Sequence, residues 1–133
     1  MKVINIFEQG NENLETHKDD RGIIADVFYN TKIEHVSIII SEPNVIRGNH
    51  YHKKTTQSIL IIKGSLEYWY KPFGSNESAK MYLCKVGDLV TTEPYEIHAL
   101  KINDDGNEFI VFTKGERGGM DYESDTYRVD TII

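Results

Sequence analysis

At 133 residues the chain is long enough for one domain with a buried core and too short for two. Hydrophobic residues make up 39% and charged residues 27%, an ordinary balance for a soluble globular protein, and no apolar run reaches membrane-spanning length. A net charge of −6 argues against broad nucleic-acid binding, which needs a basic face to displace counterions, but it permits an anionic small molecule met by a local positive cluster.

The N-terminus, Met1-Lys2-Val3-Ile4-Asn5-Ile6, lacks a signal peptide's basic segment and apolar block. The single cysteine, Cys84, precludes an internal disulfide and fits a reducing cytoplasm. Its neighbours Met81-Tyr82-Leu83 mark a packed thiol rather than a reactive one.

In chain order, Val3 to Phe7 alternates weakly and predicts an opening strand. Glu8 to Asp20 is polar and reads as loop. Asp19-Asp20-Arg21-Gly22 turns into a second strand, Ile23 to Tyr29. His35 to Ser41 is a third, stopped by Glu42-Pro43-Asn44, because proline ends ladder pairing. Gln57 to Lys63 is rich in β-branched residues and too short for an ordinary helix, so it reads as a buried strand, turned by Gly64-Ser65 into Leu66 to Lys71.

Pro72 to Ser78 is a turn-rich loop, and Ala79 to Lys85 another strand. Gly87-Asp88 punctuates before Leu89 to Thr92, and Pro94-Tyr95-Glu96 before Ile97 to Ile102. Asn103-Asp104-Asp105-Gly106-Asn107 signals a turn into Glu108 to Thr113. Gly115 to Gly119 reads as a flexible loop before Tyr127 to Ile133 closes the chain. No long stretch has helical periodicity. Many short strands between Gly, Pro, Asn and Asp turns predict an all-β sandwich or barrel, here a jelly roll.

The chemistry-bearing stretch is Arg47-Gly48-Asn49-His50-Tyr51-His52, leading to Gln57. Histidines two apart share a face only on extended backbone, because strand side chains alternate. Extension therefore sets two imidazoles and a carboxamide beside one another, with Arg47 just upstream. A further histidine, His98, follows Gly87 and Pro94.

This arrangement resembles the cupin family. Its first motif is matched by His50-Tyr51-His52, Gln57 and Gly64, and its second by Gly87, Pro94, His98 and Asn103, with Glu96 where the family usually has glycine. Within cupins, Asp20-Arg21-Gly22 and Arg47-Gly48-X-His50 resemble the dTDP-4-dehydrorhamnose 3,5-epimerase superfamily. His50-X-His52-Lys53, Gln57 and Gly64-Ser65 are most similar to its dTDP-4-dehydro-6-deoxyglucose 3,4-ketoisomerases. Arg47 to His52 and Asp125-Thr126-Tyr127 are similar to the C-terminal cupin domains of capsular-polysaccharide enzymes. The likeness runs from about Arg21 to Arg128 and implies a single cupin domain over residues 1–133.

The resemblance implies a sugar-nucleotide isomerase or epimerase acting by proton transfer, with no required cofactor and a homodimeric state. It assigns the acid and base to His50 and His52, and imidazole titrates near neutral pH without tuning. Gln57, His98 and an inward-facing Tyr51 would bind sugar hydroxyls. Arg47, whose planar fork suits paired oxygens, would bind a carboxylate-like or phosphate group, with Arg21, Lys53 and Lys54 as candidates for the diphosphate. The 3,5-epimerases carry a tyrosine acid after the second motif, whereas Phe109-Ile110-Val111-Phe112 has no hydroxyl, which favours single proton relocation.

Two alternatives stand beside this. His50, His52 and His98, with Gln57 as a weak fourth ligand, suit a divalent metal (Zn, Fe, Ni or Mn). A sugar-binding module without catalysis would use the same pocket. Trp69, Tyr68 and Tyr70 are candidates for stacking on a base, although packing accounts for the inward ones. His17 and His35 are expected to be structural or exposed. An N-terminal strand such as Val3 to Phe7 offers an edge for a second subunit.

Overall fold

Two long strands carry the architecture of the computed structural model, which describes all residues except Gln9, Glu12, Glu116, Arg117 and Tyr122. They are β6 (Thr56–Pro72) and β9 (Glu96–Lys114), antiparallel along their whole lengths. Around them lie β1 (Lys2–Asn5), β2 (Thr16–Asp19), β3 (Gly22–Ala25), β4 (His35–Ser41), β5 (Ile46–Tyr51), β7 (Lys80–Cys84), β8 (Asp88–Thr92) and β10 (Tyr127–Arg128).

The first half of β6 pairs with β8, which pairs with β1, while the second half of β9 pairs with β4. Past the bend, β6 pairs with β7, and β9 with β5, which takes β10 on its other side. The main core lies between these halves: Ile59, Ile61, Val90, Phe109 and Val111 from one meet Leu66, Tyr68, Cys84, Leu100 and Ile102 from the other. Burial first, and Asp88 second, push the Cys84 thiol up to about 12, so it is the inert thiol its neighbours predicted.

The expected turns at Gly64-Ser65 and at 103–107 are corrected to a shared bend. Both strands run through it, paired at Gly64 and Asn107 on one side and at Leu66 and Ile102 on the other. Only Ser65 intervenes on β6, whereas 103–106 bulge out of β9, closed by Asn103 Nδ2 donating to Ser65 Oγ at 2.7 Å. Turn-forming residues locally favour a reversal, but here each strand already has its partner on both sides of the bend.

Three more expectations shift. Within the expected loop, Thr16–Asp19 is a strand paired with β3, a hairpin whose polar half carries no apolar signal. The second strand ends at Ala25; beyond it Val27 and Phe28 pack, with Ala25, over Ile6, Leu60 and Leu89 on the outer face of the sheet. The closing strand shrinks to Tyr127–Arg128. Glu116 and Arg117 of the expected flexible loop lie outside the described residues, and Gly119–Asp121 forms a single 3-10 turn. No helix among the described residues is long and apolar enough to cross a membrane.

The motif strand β5 carries a bulge. Gly48 (φ 86°) and Asn49 (φ 55°) are both left-handed, and the register jumps from Gly48–Ala99 to His50–His98. A Cβ on Gly48 would stand 2.8 Å from the His98 carbonyl oxygen, so only glycine permits this approach. Gly74 shares the positive φ (81°) but faces open space. Gly74→Ala should cost about 1–2 kcal/mol from backbone strain alone. Gly48→Ala should cost about 3 kcal/mol or more, since backbone must also move. Thermal melts yielding equal losses would show that the close approach constrains nothing.

Candidate functional site

The bulge sets His50 directly across from His98, and extended backbone carries His52 back to the same side. Ring centroids lie 4.9 Å apart for His50 and His52, 4.6 Å for His50 and His98, and 5.4 Å for His52 and His98. One nitrogen of each falls within 4.8 Å of the others. His52 and His98 are buried, and His50 is partly open. His50 and His98 border a hollow of about 550 Å³, walled also by Gln57, Tyr68, Thr92 and Arg47 among others, a size suited to a small-molecule ligand, while His52 lies buried behind them, outside its walls. A smaller cleft of about 220 Å³ on the outer face has neither histidine nor carboxylate in its walls.

Backbone carbonyls orient two of the rings. His52 Nδ1 lies 2.8 Å from the Asp125 carbonyl oxygen, and His98 Nδ1 lies 3.1 Å from that of Glu96. A carbonyl only accepts, so both rings carry their proton on Nδ1 and keep the Nε2 lone pair for other work. Gln57 Oε1 lies 3.3 Å from His52 Nε2, and with the ring proton on Nδ1 the carboxamide must turn over so that its NH2 end meets the Nε2 lone pair.

Arg47 Nε donates to Ser41 Oγ at 2.8 Å, anchoring the stem of a guanidinium that walls the hollow. Tyr68 packs in the main core, as the packing alternative expected, and its hydroxyl pairs with Thr92 Oγ1 within the hollow's wall, its ring parallel to that of His98. Burial pushes its phenol above the ordinary value, so it keeps its proton.

Four expected residues, Tyr51, Arg21, Lys53 and Lys54, are absent from the hollow's walls. Tyr51 faces the other way, against Phe73, Tyr95 and Tyr127, because alternation that unites His50 with His52 sends the residue between them outward. Arg21 lies exposed in the β2–β3 hairpin, paired with Asp19 at 2.7 Å, and is absent from the hollow's walls. Lys53 also lies elsewhere, its ammonium 4.2 Å from the Tyr127 ring centroid.

Sequence reading missed three participants. His35 walls the hollow from β4, and Arg128 walls it from β10, bonded to Glu123 at 2.9 and 3.1 Å. The third is Asp125, buried, whose carboxylate accepts from the backbone N–H groups of Lys53, Lys54 and Thr55 and from the Thr55 hydroxyl. Alternation pointed the other way for His35, because Val36, Ile38 and Ile40 form the apolar phase of its strand and yet lie exposed. Nothing local announces a tail that folds back on the motif.

Residues 17–127 match the family described as the polysaccharide biosynthesis C-terminal domain. A reductase of Pseudomonas aeruginosa, acting on UDP-2-acetamido-2,6-beta-L-arabino-hexul-4-ose, is 31% identical over 55 residues, 41% of this chain and 15% of that protein. The chain therefore spans a small part of that relative.

Among solved structures, the sugar 3,4-ketoisomerase QdtA of Thermoanaerobacterium thermosaccharolyticum, in complex with TDP, superposes with a TM-score of 0.71 at 18% identity, over 96% of this chain and 87% of that one. The capsular polysaccharide assembling protein CapF of Staphylococcus aureus gives 0.65 at 21% identity, over 91% of this chain and 35% of that one. These likenesses establish the cupin jelly-roll fold.

The Asp125 carboxylate supplies a pH dependence. Burial alone would raise it, but the bonds from Lys54, Lys53 and Thr55 outweigh that and hold it below the ordinary 3.8. The unfolded chain thus takes up this proton at higher pH than the native one. The stabilisation is complete above the ordinary value and is lost as pH falls through the lowered one. Asp125→Asn should lose about 2 kcal/mol at neutral pH, and its melting curve should converge on the parent's in acid. A gap that stays constant below 3.8 would contradict the assignment.

Proposed function

Because the chain belongs to the polysaccharide biosynthesis C-terminal domain family, we propose that it is an enzyme that relocates a proton beside the keto group of a nucleotide-linked 4-keto-6-deoxyhexose. The observation that carries this reading is a cluster of three imidazoles beside a carboxamide, of which His50, His98 and Gln57 wall one hollow and His52 stands directly behind them. In a 3,4-ketoisomerisation, a base removes the C3 proton next to the C4 ketone while an acid protonates O4, giving an enediol. A proton returns at C4 while the hydroxyl proton leaves O3, and the carbonyl then stands at C3.

His50 and His52 divide these transfers, one serving carbon and the other oxygen, with neutral imidazole suited to both directions near neutral pH. Gln57 and His98 bind sugar oxygens, joined by the protonated Tyr68 phenol. Arg47 meets the diphosphate. The absence of a hydroxyl in Phe109–Phe112 favours one relocation over double epimerisation.

Residues 1–133 act as one cupin domain in this reading, without a cofactor, in the cytoplasm and as a homodimer. The buried free Cys84 suits a reducing compartment. β1 and β4 are edge strands of the eight-stranded sheet, and β4 exposes Val36, Ile38 and Ile40, the kind of edge that proteins usually cover.

A second reading has its own observation. The three-histidine group, with Nδ1 of His52 and His98 held by carbonyls, fits a divalent metal on His50, His52 and His98, with Gln57 as a weak fourth ligand. A metal bound there would polarise a substrate oxygen.

On the first reading, dTDP-4-keto-6-deoxyglucose takes up deuterium from heavy water, undiminished by chelator. His50→Ala and His52→Ala each cut the rate by about 10²–10⁴-fold. Full exchange in either variant would remove that imidazole from the chemistry. Elemental analysis of protein purified without a histidine tag tests the second reading. Near-stoichiometric zinc, iron, nickel or manganese supports it, and a metal-free preparation that stays active ends it.

A further inference from the structure

Asp125 is a buried carboxylate that the proton-transfer scheme does not use. Its Oδ1 accepts from Lys53 N at 3.1 Å; its Oδ2 accepts from Lys54 N at 2.9 Å, Thr55 N at 2.9 Å and Thr55 Oγ1 at 2.8 Å. Three successive backbone N–H groups aimed at one anion make a nest, formed here by the turn that joins His52 to Gln57. The main chain of the same residue reaches the site itself, since its carbonyl oxygen lies 2.8 Å from His52 Nδ1. Nearby, Val129 N donates to the Asn49 carbonyl at 2.9 Å and Ile132 N to Asn49 Oδ1 at 3.0 Å, which ties the tail to the β5 bulge.

We propose that Asp125 is a positioning residue: its carboxylate locks the 53–55 turn onto the tail, and its carbonyl thereby holds His52 as the Nδ1–H tautomer. The opposite tautomer would set the Nδ1 lone pair against the carbonyl lone pairs and leave a buried acceptor unpaired. A histidine side chain free in water favours that opposite form, so the contact inverts the intrinsic preference. The Nε2 lone pair is thereby kept on the side of Gln57 and the other two imidazoles. The anion matters because an amide at the same position presents an NH2 group to at least one donor of the nest.

Nitrogen-15 spectra of the full chain read the tautomer directly, through the ring-nitrogen shifts and the Nδ1–H coupling of His52 assigned by comparison with His52→Gln. The parent should show Nδ1–H. Asp125→Asn should show a mixture of tautomers and at least a tenfold loss of kcat with KM within about threefold. Thr55→Val, which removes one of four bonds to the carboxylate, should keep the parent tautomer and kcat within about threefold. An Nε2–H tautomer in the parent overturns the inference, and this measurement stands even where Asp125→Asn fails to fold. A folded Asp125→Asn with the parent's tautomer and kcat overturns it as well. Only the kinetic arm rests on the proposed proton transfer. An inactive parent whose His52 tautomer still depends on Asp125 would refute that reading and leave this one standing.

Discussion

The approach of β5 to β9 at Gly48 is the constraint on which the site depends. A backbone with no Cβ lies against the His98 carbonyl, and the Asn49 bulge then advances the register by one residue, so that His50 falls opposite His98. A one-residue slip in a strand turns every later side chain to the other face. Without the bulge, the phase that brings Arg47 and Gly48 to the hollow's edge would not also bring His50 and His52 inward.

The core and the hollow share the same two half-sheets. Toward one end, Ile61, Leu66, Ile102 and Phe109 fill the space between them. Toward the other, the inward positions are His98, Gln57, Tyr68 and Thr92, which pair with one another or with backbone and leave room for a ligand. Burying polar groups is costly unless each finds a partner. Rings whose Nδ1 atoms meet carbonyls satisfy that requirement and keep their other nitrogen for chemistry, which suits proton transfer and metal ligation alike.

The tail completes this arrangement from a distance. Asp125 follows His52 by 73 positions, yet it sets both the turn after the motif and the ring within it. Tyr127 lies stacked on Tyr51, so the outward face of the motif strand is covered by the same segment that supports its inward face.

Strand content, the extended His50–His52 pair, the buried run after Gln57 and the packed Cys84 were all legible in the sequence, because alternation, β-branching and neighbouring apolar residues are local properties. The bend shared by β6 and β9 was not: Gly64 and Asn103 to Asn107 carry turn chemistry, and only pairing with each other keeps both strands running through it. The same limit hid His35, Arg128 and Asp125, and it placed Tyr51 and Arg21 in a site they do not join. Residue type and spacing decide what a side chain can do and which way its own strand turns it. Which distant groups meet it is settled by tertiary register, a property of strand pairs that no single stretch of the chain contains.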